Sequence, residues 1–136
     1  MALNACIKKR CLRLSKEADH INKYEHNKNF YNAMDSLNYP DWAVVVLFYE
    51  SIHLIEGVMA RQNEHPTTHE ARDSLLKDTT KIYYSRDIRK DYKALENLSR
   101  KARYISEEVV TEIDVKMATE YLDEIIYWYK HQTKTA

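Results

Sequence analysis

The sequence predicts an all-α protein, an up-and-down helical bundle of four long helices plus one short helix. Three observations lead there. One glycine and two prolines in 136 residues leave almost nothing from which to build β-turns. Apolar residues at 44% and charged residues at 31% give the ordinary balance of a globular chain. The stretch from Pro40 to Ala60 exceeds strand length and is apolar on every side between Trp42 and Tyr49. A helix apolar all round is buried all round, so this one belongs at the centre of the bundle. It reads as too short, and too polar at its end, to span a bilayer. The length suits a single domain over 1–136, with 1–11 as a loosely held lead-in and 133–136 as a tail.

Taken in order, a first helix is expected over Leu12–Leu37, where Leu14, Ala18, Ile21, Tyr24, Phe30, Tyr31 and Met34 form an amphipathic stripe. The polar run Glu25–Asn29 interrupts it, as a kink or as a boundary between two shorter helices. Asn38-Tyr39-Pro40 closes the segment, because the residue before a proline is pushed out of the helical region. Pro40 suits the first position of the central helix, where a missing N–H costs nothing. Gly57, unfavourable inside a helix by about 1 kcal/mol relative to alanine, is expected where another helix comes close. Thr67 and Glu70 have capping-box spacing, which starts a short third helix at Thr68 or His69 and carries it to about Asp78. Ile88, Tyr92, Leu95, Leu98 and Ala102 step along one face of a fourth helix, Arg86–Ala102. Thr111 and Asp114 have capping-like spacing for a fifth, which carries Val115, Ala118, Tyr121, Leu122, Ile125, Ile126 and Tyr129. Eleven tyrosines suit half-buried positions or a subunit interface, and a homodimer is expected.

The formal net charge is zero, so no global field draws the chain to nucleic acid or to a membrane. The local distribution is uneven. Residues 81–103 carry eight lysines and arginines against three carboxylates, and residues 107–124 carry seven carboxylates against Lys116. Two solvated faces that partly neutralise each other explain this simply; a basic groove for phosphates is the other reading. Cys6 and Cys11 lack both disulfide partners elsewhere and metal-ligand spacing, and residues 1–10 have no adequate apolar run for a signal peptide. The cytoplasm is the expected location, with no cofactor.

Familiar catalytic signatures are missing. A single glycine rules out a Gly-rich phosphate loop, and there is no HExxH helix or nucleophile elbow. Glu17-Ala18-Asp19-His20 and Glu50-Ser51-Ile52-His53 both read Glu-x-x-His, the chelating element of di-iron bundles. A metal site at Glu17, His20, Glu50 and His53 is therefore one alternative, completed from Glu96, Glu120 or Glu124, although the helical stripe places Glu96 on a polar face. The plainer alternative makes Glu50 and His53 a buried hydrogen-bonded pair and leaves Glu17 and His20 on the surface. Pro66 breaks the alignment of His65 and His69, but His69 and Arg72 share one face of a helix N-terminus, which favours an anion. Arg100, Lys101 and Arg103 end the fourth helix, where cations complement the dipole. If the third and fourth helices are antiparallel neighbours, His69, Arg72, Arg100 and Arg103 converge. Cations so close, without acidic partners, would need an anion between them.

Asp41-Trp42-Ala43, Phe48-Tyr49, His53, the run His65-Pro66-Thr67-Thr68-His69 with Arg72, then Tyr92, Leu95, Ser99-Arg100 and Ala102-Arg103-Tyr104 resemble uncharacterised prokaryotic members of the HEPN superfamily. The resemblance spans residues 40–104. It implies a small, commonly dimeric helical bundle that either binds and cleaves RNA without metal, in toxin–antitoxin or defence-type systems, or serves as a non-catalytic partner of a nucleotidyltransferase-like protein. On this reading His69, Arg72 and His53 carry proton transfer and phosphate contact, and Arg100, Arg103 and Tyr104 bind RNA or nucleotide phosphates. Nuclease members carry Arg-x(4–6)-His. Here three residues separate Arg61 from His65 and seven separate it from His69, and the literal match, Arg13 to His20 with six between, lies outside the resembling stretch. A metal-binding bundle remains the third reading.

Overall fold

The computed structural model describes residues 15–78, 81, 84–105 and 107–132. Those residues form five α-helices and no strand: α1 (Glu17–Ala33), α2 (Pro40–Arg61), α3 (His69–Lys77), α4 (Arg86–Tyr104) and α5 (Glu112–Lys130). The lead-in, the tail, both cysteines and Arg13 lie outside the described residues.

Each helix starts where a side chain satisfies a free backbone donor or where a proline removes one. The Asp19 carboxylate accepts the Lys16 N–H at 2.8 Å, and Asp114 accepts the Thr111 N–H at 2.9 Å. Pro40 opens α2 at its first position. The Ser85 hydroxyl accepts from Ile88 to start α4. For α3 the cap is Thr68, whose Oγ1 accepts the Ala71 N–H at 3.0 Å, and not the expected Thr67. The first helix is also shorter than its apolar stripe and runs unbroken through Glu25–Asn29. That polar run is simply the outer face of a helix that buries only Tyr24 fully. Asp35 and Asn38 then close a turn with a 2.6 Å side-chain bond. Asn63 takes a left-handed φ of 56° just beyond α2, a conformation asparagine tolerates.

The central helix α2 packs against α1, α4 and α5. Its fully covered side chains include Val44, Phe48, Ile55, Val58 and Met59, which meet Tyr92 and Leu95 of α4 and Ile125 of α5 in one core. It is not enclosed on every side, however: Trp42 is 60% exposed and Tyr49 37%, so the first half of the helix shows solvent an aromatic edge. By length and composition its 22 residues would also suffice to cross a bilayer, contrary to expectation, but 67% of the apolar window is covered by the other helices. The atoms nearest Gly57 from other helices belong to side chains. A Cβ there would meet Ile21, Tyr129 and Glu17 at 3.5–3.8 Å, ordinary contact distances, so close helix approach does not explain the glycine.

The basic α4 is neutralised mainly from sources other than the acidic α5. Asp73 of α3 lies within 3.6 Å of Arg89 and 4.0 Å of Lys93, while Glu96 of α4 itself pairs with Lys93 at 2.8 Å. Lys101 reaches Asp114 of α5 at 3.1 Å.

Glu50 is 2% exposed, and its Oε2 has no hydrogen-bond partner among the described residues. It does not bond His53. Burial pushes its carboxyl from the ordinary 4.5 up to about 7, with Lys28 opposing and Glu25 adding. The folded chain therefore holds this proton more tightly than the unfolded chain, and stability declines as pH rises through that window, by about 3 kcal/mol in full. Urea unfolding at pH 5 and pH 8 should show this decline in the wild type and a smaller one in Glu50→Gln. Parallel declines in both proteins would show that Glu50 does not titrate in this way.

Candidate functional site

Arg72 organises the chemistry. It sits on the first turns of α3, only 7% exposed, with its guanidinium turned into the bundle. Nε and Nη2 both donate to Glu56 Oε1, at 3.0 and 2.7 Å. Nη1 donates to His69 Nδ1 at 2.9 Å and to the Tyr92 hydroxyl at 3.1 Å. Tyr92 in turn donates to Glu96 Oε2 at 3.2 Å. Three helices, α2, α3 and α4, are tied together by one planar cation whose donor fork matches this geometry.

The network fixes His69. Arginine has no acceptor, so His69 Nδ1 must accept and the neutral ring carries its proton on Nε2. Stacking on Phe48, with ring centroids 6.1 Å apart at 22°, holds the ring plane. Beyond it opens a cleft of about 410 Å³ lined by His69, Glu96, Arg100, Arg103, Tyr104 and Ile105. The start of α3 and the end of α4 thus meet in one place. Arg103 lies over the Tyr104 ring at 4.9 Å and donates to the Ser99 carbonyl at 3.3 Å; among the described residues it has no carboxylate within ion-pair distance. Arg100 is exposed, and among the described residues its one carboxylate contact is a loose 3.8 Å approach to Glu96.

Two expectations need correction. The cations near this cleft, Arg103 apart, do have acidic partners: Glu56 neutralises Arg72, and Glu96, 3% exposed and not on a polar face, balances Lys93 and part of Arg100. And Arg72 does not line the cleft. It is committed inward and reaches the cleft only through His69.

His53 lies elsewhere, half-buried on the far side of the Glu56 carboxylate from Arg72. Its Nδ1 is 3.5 Å from Nδ1 of His20, and His20 is 3.5 Å from Glu56 Oε2. The two Glu-x-x-His histidines therefore do meet, but without their glutamates. Glu17 turns away to Arg61 and Tyr129, both at 2.7 Å, and Glu50 is buried apart. Burial lowers the pKa of both histidines, against the pull of Glu56, so the neutral rings are favoured.

Comparison with known protein families, curated proteins and solved structures finds no match. What this site can do follows from its own geometry.

Three participants escaped sequence reasoning in these roles. Glu56 follows His53 by three residues and so shares its face, a spacing visible in the chain. Tyr92 and Glu96, four apart on α4, carry the same signal. What hides them is the depth of the face they share, which depends on how α2, α3 and α4 pack.

Removing one partner of a buried ion pair leaves an uncompensated charge. Arg72→Met should therefore cost about 3 kcal/mol in chemical denaturation. The double variant with Glu56→Gln should recover part of that loss. If the double variant is destabilised by the sum of the two single effects, the pair is not coupled as described.

Proposed function

We propose that this chain is a HEPN-like bundle that binds RNA or nucleotide phosphates in the cleft between α3 and α4. The observation that carries the reading is the donor set at the cleft: the Nε2–H of His69, whose tautomer Arg72 fixes, with Arg100 and Arg103 beside it. A phosphate offers acceptors and negative charge to Arg103, which has no carboxylate partner among the described residues, and to Arg100, which has only a share of Glu96. Tyr104, 73% exposed at the rim, adds a flat ring on which a base can stack. Glu96 in the cleft wall limits the field, and Lys93 shares that carboxylate. The succession of four long helices and one short one supports the HEPN-like reading.

Binding is favoured over cleavage by the state of His69. As a neutral ring with Nδ1 occupied it is a hydrogen-bond donor. A proton-transfer role would need Nε2 free as a base, or a second N–H at Nδ1 where the Arg72 cation already points.

Fluorescence anisotropy with a short single-stranded RNA, in EDTA, tests this. Arg100→Ala and Arg103→Ala should each weaken binding about tenfold. Each should also flatten the dependence of log Kd on log salt by about 0.7. Unchanged affinity in both variants would remove the cleft from RNA binding. RNA cleavage in EDTA that disappears in His69→Ala would assign the cleft to a nuclease instead.

A second reading rests on the aromatic edge of α1 and α2. Phe30 is 54% exposed and Trp42 60%, and with Val46 and Tyr49 they line one groove. Rings shown to water along two adjacent helices suit a homodimer contact. In light scattering, the wild type should have twice the monomer mass and a Phe30→Glu/Trp42→Glu variant the monomer mass; a monomeric wild type rejects the dimer.

A further inference from the structure

His20, His53 and Glu56 stand apart from the phosphate cleft and are not explained by it. His20 comes from α1, and His53 and Glu56 come from successive turns of α2. The two Nδ1 atoms face each other at 3.5 Å, and Glu56 Oε2 lies 3.5 Å from His20 Nδ1. All three donor atoms fall within 4.8 Å of one another. Tetrahedral zinc with bonds of about 2.0–2.1 Å to nitrogen and oxygen places any two of its donors about 3.3–3.4 Å apart. Two edges of the cluster therefore already have the spacing that a bound ion would impose.

The bare cluster is poorly satisfied as a set of hydrogen bonds. Between two Nδ1 atoms only one hydrogen can sit, and at 3.5 Å that bond is at the long limit. With both rings protonated at Nε2 instead, two lone pairs confront each other. A cation between them turns that conflict into two bonds.

We propose that His20, His53 and Glu56 form a binding site for a divalent transition metal, zinc by preference, with three protein ligands and one open position. Histidine and carboxylate together favour zinc over magnesium or calcium, which take oxygen ligands. Glu56 is already oriented as a ligand would be, because Arg72 binds its Oε1 twice and leaves Oε2 toward His20. The side chains of His20 and Glu56 are 14% and 12% exposed, sheltered but not sealed. His53 also borders the groove beside Trp42 and Tyr49, which provides an approach.

Arg72 and Lys23 oppose a cation here, and Asp19 favours one. The expected affinity is therefore below that of a closed four-ligand site. Because Glu56 and His69 share Arg72, zinc drawing on Glu56 would act on the same guanidinium that sets the His69 tautomer.

The test uses untagged full-length protein carrying Cys6→Ser and Cys11→Ser, so that thiols cannot contribute. One zinc per chain should remain after dialysis. Saturating zinc should raise Tm by about 5 °C or more at a hundredfold excess over Kd. Cobalt in place of zinc should give the visible spectrum of a four- or five-coordinate nitrogen–oxygen site, a measurement that needs no ligand variant. His20→Gln and His53→Gln, on different helices, should each lower zinc affinity at least tenfold while circular dichroism stays helical. Zinc binding that survives in the His20→Gln/His53→Gln double variant would overturn the proposal. So would the absence of both a Tm rise and a cobalt spectrum in the parent.

Discussion

A single buried guanidinium holds this molecule's polar interior together. Arg72 has little exposure and four hydrogen bonds, to Glu56, His69 and Tyr92. Burying a cation costs several kcal/mol unless paired and fully bonded, and here the carboxylate of α2 supplies the charge while α3 and α4 supply the remaining acceptors. The constraint runs outward in both directions. On one side it sets the tautomer of His69 at the cleft; on the other it orients the Glu56 carboxylate toward His20 and His53. Neither flank has its geometry without the arginine between them.

The apolar core allows this arrangement because α2 is only partly enclosed. Its Val44, Phe48, Ile55 and Met59 side sinks into the bundle and supplies cohesion. Along the same helix, His53 and Glu56 fall on a strip where burial is incomplete, which leaves polar atoms within reach of α1 and α3. Glu50 is the contrasting case. One turn earlier, it is swallowed by the core, its Oε2 without a hydrogen-bond partner among the described residues, and it responds by holding its proton. Two carboxylates on one helix thus meet different surroundings, one an arginine and the other an apolar core.

Much of the helical skeleton is legible in the chain. Pro40 marks a helix start, Thr111 and Asp114 mark another, and the spacing of Ile88, Tyr92 and Leu95 gives the inward face of α4. These signals are local, and local signals survive translation into structure. The departures have physical causes too. The run Glu25–Asn29 resembles an interruption because it is polar, yet a helix lying on one neighbour needs only a narrow covered stripe. Trp42 and Tyr49 have apolar surroundings in sequence that suggest burial, yet α1 leaves them partly exposed in the groove between the two helices. Glu96 suggests a solvent-facing position because glutamate usually takes one, whereas a tyrosine hydroxyl and a lysine accommodate it in the interior.

By itself, then, the sequence determined the helical class, two of the helix starts (Pro40 and Thr111), and the residue types able to meet phosphate or metal. Spacing along one helix is a covalent fact, and it puts His53 and Glu56, or Tyr92 and Glu96, on common faces. Which faces look at one another was decided only by tertiary packing. That His20 would meet His53 rather than Glu17, and that Arg72 would spend its charge on Glu56 rather than on a ligand, depends on the approach and rotation of α1, α2 and α3. Those angles come from the sum of many weak apolar contacts, and no short motif records such a sum.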